Sequence, residues 1–226
     1  MSQQRYIDLH THHKYHKQQE VIAIGNVHAG APLPDNNLLF SSGLHPWKIK
    51  EGHIEEKLDY LNTLAKKQQI TAIGECGLDK AIGTSIEIQQ QIFEKQIELS
   101  EKFRLPLIIH CVRAYSEILA LRKKHPEGCW IIHGFDGNEV LANQLTSKAI
   151  HLSVGTALFN PKSKISHSIQ HIPTSWLFLE TDDQNTYLIK EIYKQASKLL
   201  GLNTEDLKAQ IFRNFASCFS NAKNDS

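Results

Sequence analysis

Short apolar runs alternate with longer amphipathic stretches along the whole chain. The runs are Tyr6–Leu9, Val21–Val27, Leu38–Leu44, Ile70–Ile73, Leu105–Ile109, Cys129–Ile132, His151–Leu158 and Trp176–Leu179. Short continuous apolarity of this kind is what a strand buried on both faces requires, so the eight runs predict eight strands. Helical spacing fills most of the gaps. Leu58, Leu61, Leu64 and Ala65 form one stripe; Ile88, Ile92, Gln96 and Leu99, with Phe93 beside them, form a second. The spacing Thr84…Glu87 opens that second helix as a capping box. Ile118, Leu119 and Leu121 mark a third helix, Val140, Leu141 and Leu145 a fourth, and Ile165 with Ile169 a fifth.

Two further helices follow the last strand. Leu188, Ile189, Ile192, Tyr193, Ala196, Leu199 and Leu200 make the clearest stripe, and Gly201 stands where a left-handed cap stops it. Thr204 caps the next helix, Glu205 and Asp206 complement its positive end, and Leu207, Ile211, Phe215 and Phe219 form its apolar face. The connection between the first two strands is too short for a regular helix. Alternation of strand and helix predicts a parallel sheet, and eight rounds predict its closure into a (β/α)8 barrel. A chain of 226 residues with 41% apolar and 22% charged positions fits one compact α/β domain spanning 1–226.

Net charge is +1, which excludes a global positive field for gathering polyanions; such binding would need a local patch or a metal. No apolar run is long enough to cross a bilayer, and the polar N-terminus lacks a basic-then-apolar leader, so no membrane association is expected. The four cysteines, Cys76, Cys111, Cys129 and Cys218, show no paired-finger spacing. Reduced thiols in a cytoplasmic protein are the corresponding expectation.

The ionisable residues change the picture most. In Asp8-Leu9-His10-Thr11-His12, strand alternation puts Asp8, His10 and His12 on one face. Glu75 follows Ala72-Ile73-Gly74, His110 follows Leu107-Ile108-Ile109, His133 follows Trp130-Ile131-Ile132, and Asp182 follows Leu177-Phe178-Leu179 at short range. Parallel barrel strands deliver their C-terminal ends to one rim, so these six side chains should meet there as a ligand shell.

The motifs Asp8-Leu9-His10-Thr11-His12, Gly74-Glu75-Cys76-Gly77-Leu78-Asp79, Ile109-His110-Cys111, His133-Gly134-Phe135-Asp136-Gly137 and Glu180-Thr181-Asp182, in this order, resemble those of the TatD family of metal-dependent hydrolases. The resemblance implies a distorted (β/α)8 TIM barrel with a two-metal centre. It implies that His10, His12, Glu75 and Asp182 hold one ion, and that Glu75, His110 and His133 hold the other. Asp182 would also accept the proton of the nucleophilic water, with Glu75 bridging. Zinc, manganese, nickel and magnesium all suit these donors.

Two positions depart from the family pattern. Where many members carry an arginine two residues after the fifth-strand His, this chain has Val112, and the arginine is Arg113. The last motif reads Asp182-Asp183-Gln184, where a proline is common. Arg113 and His45, in Gly43-Leu44-His45-Pro46-Trp47, are candidate substrate contacts, His45 equally a loop-packing residue. Trp47 fits a loop anchor or a base stack. Cys76 and Cys111 should turn from the rim into packing, and Asp8 should orient a ligand. Lys14, Lys17, Lys48, Lys50, Lys80, Arg113, Lys162 and Lys164 all fall on the rim side, which suits an anionic substrate.

Three functions follow from this reading. The first is a two-metal phosphodiesterase, an exonuclease-type deoxyribonuclease acting on DNA or another phosphate-containing substrate, with no obligate protein partner indicated. A metal-dependent esterase, such as an aminoacyl-tRNA deacylase, is the second, and a catalytically silent metal-binding scaffold is the third.

Overall fold

Eight parallel strands lie side by side in chain order: β1 Tyr6–Thr11, β2 Val21–His28, β3 Leu39–Gly43, β4 Ala72–Asp79, β5 Leu107–Val112, β6 Trp130–Ile132, β7 Ile150–Val154 and β8 Leu177–Leu179. The computed structural model describes residues 4–13, 20–34, 38–184 and 186–220. Each strand pairs with the next, and just beyond β8 a bridge between Thr11 and Asp182 joins the last strand to the first. There the His12 N–H donates to the Asp182 carbonyl at 3.0 Å, and the Asp182 N–H donates to the His10 carbonyl at 2.9 Å. Asp8 reinforces the seam by accepting from the Thr181 N–H at 2.9 Å and the Thr181 hydroxyl at 2.8 Å. The result is a nearly closed TIM barrel. Its seam is tightened at the rim, where His10, His12 and Asp182 emerge.

Helices cover the outside: α1 Ile54–Lys66, α2 Ile86–Phe103, α3 Tyr115–Lys124, α4 Glu139–Thr146, α5 Ile165–Ser168, α6 Ile189–Leu200 and α7 Thr204–Cys218. Strand residues such as Ile73, Ile108, Ile131, Leu152 and Phe178 are fully buried, as expected for a sheet with interior packing on one face and helices on the other. Tyr193 of α6 pins β1 by accepting from the Ile7 N–H at 3.1 Å and donating to the Ile7 carbonyl at 3.2 Å. Gly201 is left-handed (φ 66°), as its place after the α6 stripe predicts. Among the described residues no helix is long and apolar enough to cross a membrane.

The structure departs from the sequence reading in local detail. The cap of α2 is Ser85, whose side chain accepts from the Ile88 N–H, rather than Thr84. The cap of α7 is Asn203, which accepts from the Glu205 N–H, so Thr204 is the first helical residue. In both cases the preceding or following polar residue has the extended backbone a cap needs. Ile88, Val140 and Leu188 face solvent instead of the core. Strand β4 runs six residues past Ile73, through Glu75 to Asp79. Cys129 and Cys218 are joined as a disulfide, against the expectation of four reduced thiols, because α7 returns its last residue beneath β6. Lys14 and Lys17 lie outside the described residues.

β4 can approach β5 only because of its glycines. Gly77 has φ 134°, and a Cβ there would lie 2.2 Å from the His110 carbonyl oxygen. Gly77→Ala is therefore expected to destabilise the fold by ~3 kcal/mol, through backbone strain and a forced shift of β5. Chemical denaturation checks this; a change within ~0.5 kcal/mol would show that the two backbones can separate freely.

Candidate metal centre

Six of the side chains singled out above come together at the C-terminal rim. β1 contributes His10, fully buried, and the residue just past the strand's end is His12, whose side chain is 32% exposed. β4 contributes Glu75 through an irregularity: the pairing with β5 slips between Ile73 and Cys76, and the Gly74–Glu75 peptide is cis. A bulge of this kind re-aims one side chain without ending the strand. The Asn26 side-chain oxygen accepts from the Glu75 N–H at 2.9 Å and fixes the bulge from β2. β5 supplies His110, the end of β6 supplies His133, and the closing bridge supplies Asp182. Asp182 has φ 54°, a left-handed conformation that aspartate adopts more readily than bulkier residues.

Glu75 sits at the middle of the cluster, and its two oxygens face different partners. Oε2 lies 3.6 Å from the Nε2 atoms of both His10 and His12, and each of those nitrogens lies 3.6 Å from Asp182 Oδ1. Oε1 lies 2.8 Å from His133 Nε2, 3.0 Å from His110 Nδ1 and 3.0 Å from His45 Nε2. The four distances on the Oε2 side exceed hydrogen-bond reach, and they come close to the roughly 3–3.5 Å edge between donors sharing one small divalent ion. Both ring nitrogens of His10, fully buried, are without a hydrogen-bond partner among the described residues. A buried imidazole in that state is costly unless something else takes its lone pair, so the donor set fits a cation. His10, His12 and Asp182 could hold one ion, and His45, Glu75 and His110 a neighbouring one; His10, Glu75 and His133 also converge closely enough to share an ion, as do His133, Glu180 and Asp182.

Surrounding groups set the tautomers. Asp79 Oδ2 stands 3.1 Å from His110 Nε2, which leaves the His110 Nδ1 lone pair directed at Glu75 and any ion beside it. The same carboxylate accepts from the Trp47 indole at 2.6 Å and the Ala81 N–H at 2.7 Å, so it is firmly held. His45 behaves in the opposite way. Its Nδ1 accepts from the Trp47 N–H at 3.2 Å, so in the neutral ring the proton sits on Nε2, facing Glu75. His45 is thus arranged as a hydrogen-bond donor.

Electrostatics follow from this crowding. Burial works against the Glu75 charge, but His133, His10, His110 and His12 overcome it and hold the carboxyl well below the usual range. Burial likewise opposes charge on His133, yet Glu75 and Glu180 raise it well above an ordinary imidazole. His12 is raised chiefly by its interaction with Glu75. Asp182 is raised by burial and by the charge of Glu180. In the metal-free protein, the charged His12 and His133 therefore stabilise the fold fully below the ordinary imidazole pKa. That contribution disappears as pH rises through the raised values. A cation must displace the same protons, so its affinity is expected to keep rising above pH ~6.5. Titration calorimetry with zinc in buffers of different ionisation enthalpy checks this; no proton release on binding would contradict it.

Some neighbours were not legible as site residues. Glu180, buried, accepts from the Gly134 N–H at 2.5 Å and lies 3.8 Å from His133 Nδ1; its signal was a second carboxylate two residues before Asp182. Asp79 was visible only as the end of the Glu75 motif. Arg113 is exposed, with φ 55°, and is the residue just beyond β5, which ends at Val112. Cys76 and Cys111 belong to the core, and burial pushes the Cys111 thiol up to about 12. Of the rim lysines, Lys48 pairs with Glu51 and Lys80 with Glu117, which offsets the charge of those two. Beside the cluster, His28, Lys48, Glu51 and Lys57 line a cavity of ≈ 280 Å³.

Residues 31–220 match the family described as TatD related DNase. Similar proteins include a metal-dependent hydrolase of Haemophilus influenzae, 33% identical over 161 residues, or 67% of this chain and 61% of the relative. The metal-dependent hydrolase YjjV of Escherichia coli is 30% identical over 145 residues, 62% of this chain and 56% of the relative. A protein named 3′-5′ ssDNA/RNA exonuclease TatD, from Cronobacter sakazakii, is 30% identical over 150 residues, 63% of this chain and 56% of the relative. The matched stretch thus spans less than two thirds of each of these relatives. Among solved structures, the fold is similar to that of E. coli YjjV, a TatD homolog, with a TM-score of 0.80 at 21% identity over 96% of this chain and 98% of that one. It is similar also to a TatD family hydrolase from Entamoeba histolytica, with a TM-score of 0.78 at 18% identity over 96% and 98% of the two chains. With a match running from before β3 to beyond α7, on a barrel of the same architecture, the chain belongs to the TatD-related DNase family.

Proposed function

We propose that the chain is a divalent-metal-dependent phosphodiesterase that removes nucleotides from an end of single-stranded DNA. The observation that carries this reading is the position of Glu75 between two donor groups, one of His10, His12 and Asp182 and one of His110 and His133. A pair of divalent ions held there would polarise a phosphoryl oxygen and lower the pKa of an attacking water. Asp182, partly open to the rim, would serve as the proton acceptor at its carboxylate. His45, whose Nε2 proton faces Glu75 Oε1 at 3.0 Å, orients that carboxylate, an arrangement that the Trp47 N–H enforces by occupying Nδ1.

Trp47 gives this site a preference for nucleic acid. The residue is 60% exposed, yet its indole N–H is tied to Asp79 and its ring centroid lies 5.0 Å from that of His45. A rigid exposed indole beside the reacting phosphate is a platform for a terminal base, and stacking of that kind contributes about 1–3 kcal/mol per base. The name of the Cronobacter relative, an exonuclease of single-stranded DNA and RNA, supports the same substrate class.

The test is incubation of metal-loaded protein with single-stranded DNA labelled at one end or the other, with magnesium, manganese, zinc or cobalt. Stepwise shortening from one end is expected with at least one ion. Intact DNA with all four ions would remove the nuclease reading, and cleavage of an aminoacyl ester under the same conditions would replace it with an esterase.

A further inference from the structure

At the opposite end of the strands from the rim, a second set of donor atoms converges. Cys129 immediately precedes β6, His151 is the second residue of β7, and Cys218 is the last residue of α7. The two cysteines are joined as a disulfide with their Cα atoms 5.6 Å apart. His151 Nδ1 lies 3.6 Å from Cys129 Sγ, and Cys218 Sγ lies 3.7 Å from His151 Nε2 and 3.9 Å from Nδ1. All three residues are half-buried and open to small molecules.

A disulfide that only staples α7 to the barrel has no need of an imidazole against both sulfurs. This imidazole is also held in place: its ring centroid lies 4.5 Å from Trp176 and 5.5 Å from Phe178. Burial keeps it neutral at pH 7. Two sulfurs and a neutral ring nitrogen make the donor set of a soft, tetrahedral site. With bonds of ~2.3 Å to sulfur and ~2.0 Å to nitrogen, a tetrahedral ion separates those donors by about 3.5 Å, close to the separations found here.

We propose that Cys129, Cys218 and His151, once the disulfide is reduced, bind a thiophilic divalent cation of the zinc class. Reduction by two equivalents of a small thiol converts the S–S bond into two protein thiols and one external disulfide. Binding of the cation then releases both thiol protons to solvent and lets the sulfurs separate to an edge of about 3.8 Å, with a water in the fourth position. In either state the end of α7 stays tied to β6 and β7. The site shares no residue with the rim, so its failure and that of the nuclease reading are independent.

Cobalt(II) is the probe, because thiolate ligands give it a near-ultraviolet charge-transfer band that imidazoles and carboxylates at the rim do not. The metal-stripped chain is titrated anaerobically, once as the disulfide and once after phosphine reduction. The reduced protein is expected to show the band at about one equivalent per chain, and zinc should abolish it. The disulfide form should show none. Cys129→Ser and Cys218→Ser should remove the band, His151→Ala should weaken cobalt binding at least roughly tenfold, and Glu75→Gln should leave the band intact. An equal absorbance in the reduced and oxidised wild type would overturn the proposal without reliance on any variant. So would a band that survives both cysteine substitutions, or affinity unchanged by His151→Ala.

Discussion

Glu75→Gln is expected to abolish hydrolysis, lowering kcat by about three orders of magnitude or more, and to cost the protein at least one bound metal ion. The substitution keeps the size of the side chain and removes only its charge. That charge is what His10, His12, His110 and His133 surround, and burial leaves no solvent to replace it. An amide in its place can still accept from one imidazole, but it cannot bridge two cations, and its NH2 group points a proton at donors that need a lone pair. Elemental analysis of the purified variant alongside a DNA-shortening assay checks both parts. Unchanged metal content would show that Glu75 is not shared between two ions. His13→Ala is the matched control: that ring contacts the Gln184 carbonyl at 3.1 Å, away from Glu75, and activity should stay within about twofold of wild type.

Asp182→Asn is expected to have the next largest effect, a fall in kcat of about 10²–10³-fold with little change in KM. Its backbone closes the barrel through His10 and His12, and asparagine tolerates the left-handed conformation, so the fold should survive. What is lost is the proton acceptor, together with the charge of one donor to the cation proposed among His10, His12 and Asp182. Burial and Glu180 raise the Asp182 pKa in the metal-free protein, and a coordinated cation would pull it back down, but at sufficiently low pH the carboxylate is protonated in either case. Wild-type kcat should therefore drop on the acid side, and the residual activity of the variant should lack that limb. A variant with the same acid limb would assign the proton to another group.

The barrel was legible because its physical cause is local. Eight apolar runs separated by amphipathic stripes leave few alternatives to a parallel sheet covered by helices, and each run coincides with an observed strand to within a few residues. The exception is instructive. An apolar count stops β4 at Ile73, but the backbone ladder continues to Asp79, because residues facing the barrel mouth can be polar without leaving the sheet. The side chains that interrupt the apolar pattern are those the rim collects. His45 gave a weaker signal, lying two residues past β3, where neither strand alternation nor helical spacing says which way a ring points. Its place beside Glu75 depends on the turn at Pro46–Glu51 and on the Trp47 N–H. The Cys129–Cys218 pair was not legible at all. Its members are 89 residues apart, and only the return of α7 beneath the sheet brings them together.

The proposed two-cation centre requires the strand ends to place one ion on each side of Glu75. Anomalous diffraction from crystals soaked in manganese or zinc tests it most directly. Two peaks are predicted on either side of the Glu75 carboxylate, one among His10, His12 and Asp182 and one against His110 and His133. A Glu75 carboxylate hydrogen-bonded to protonated imidazoles, with no anomalous density within about 2.5 Å of either oxygen at saturating metal, would contradict it.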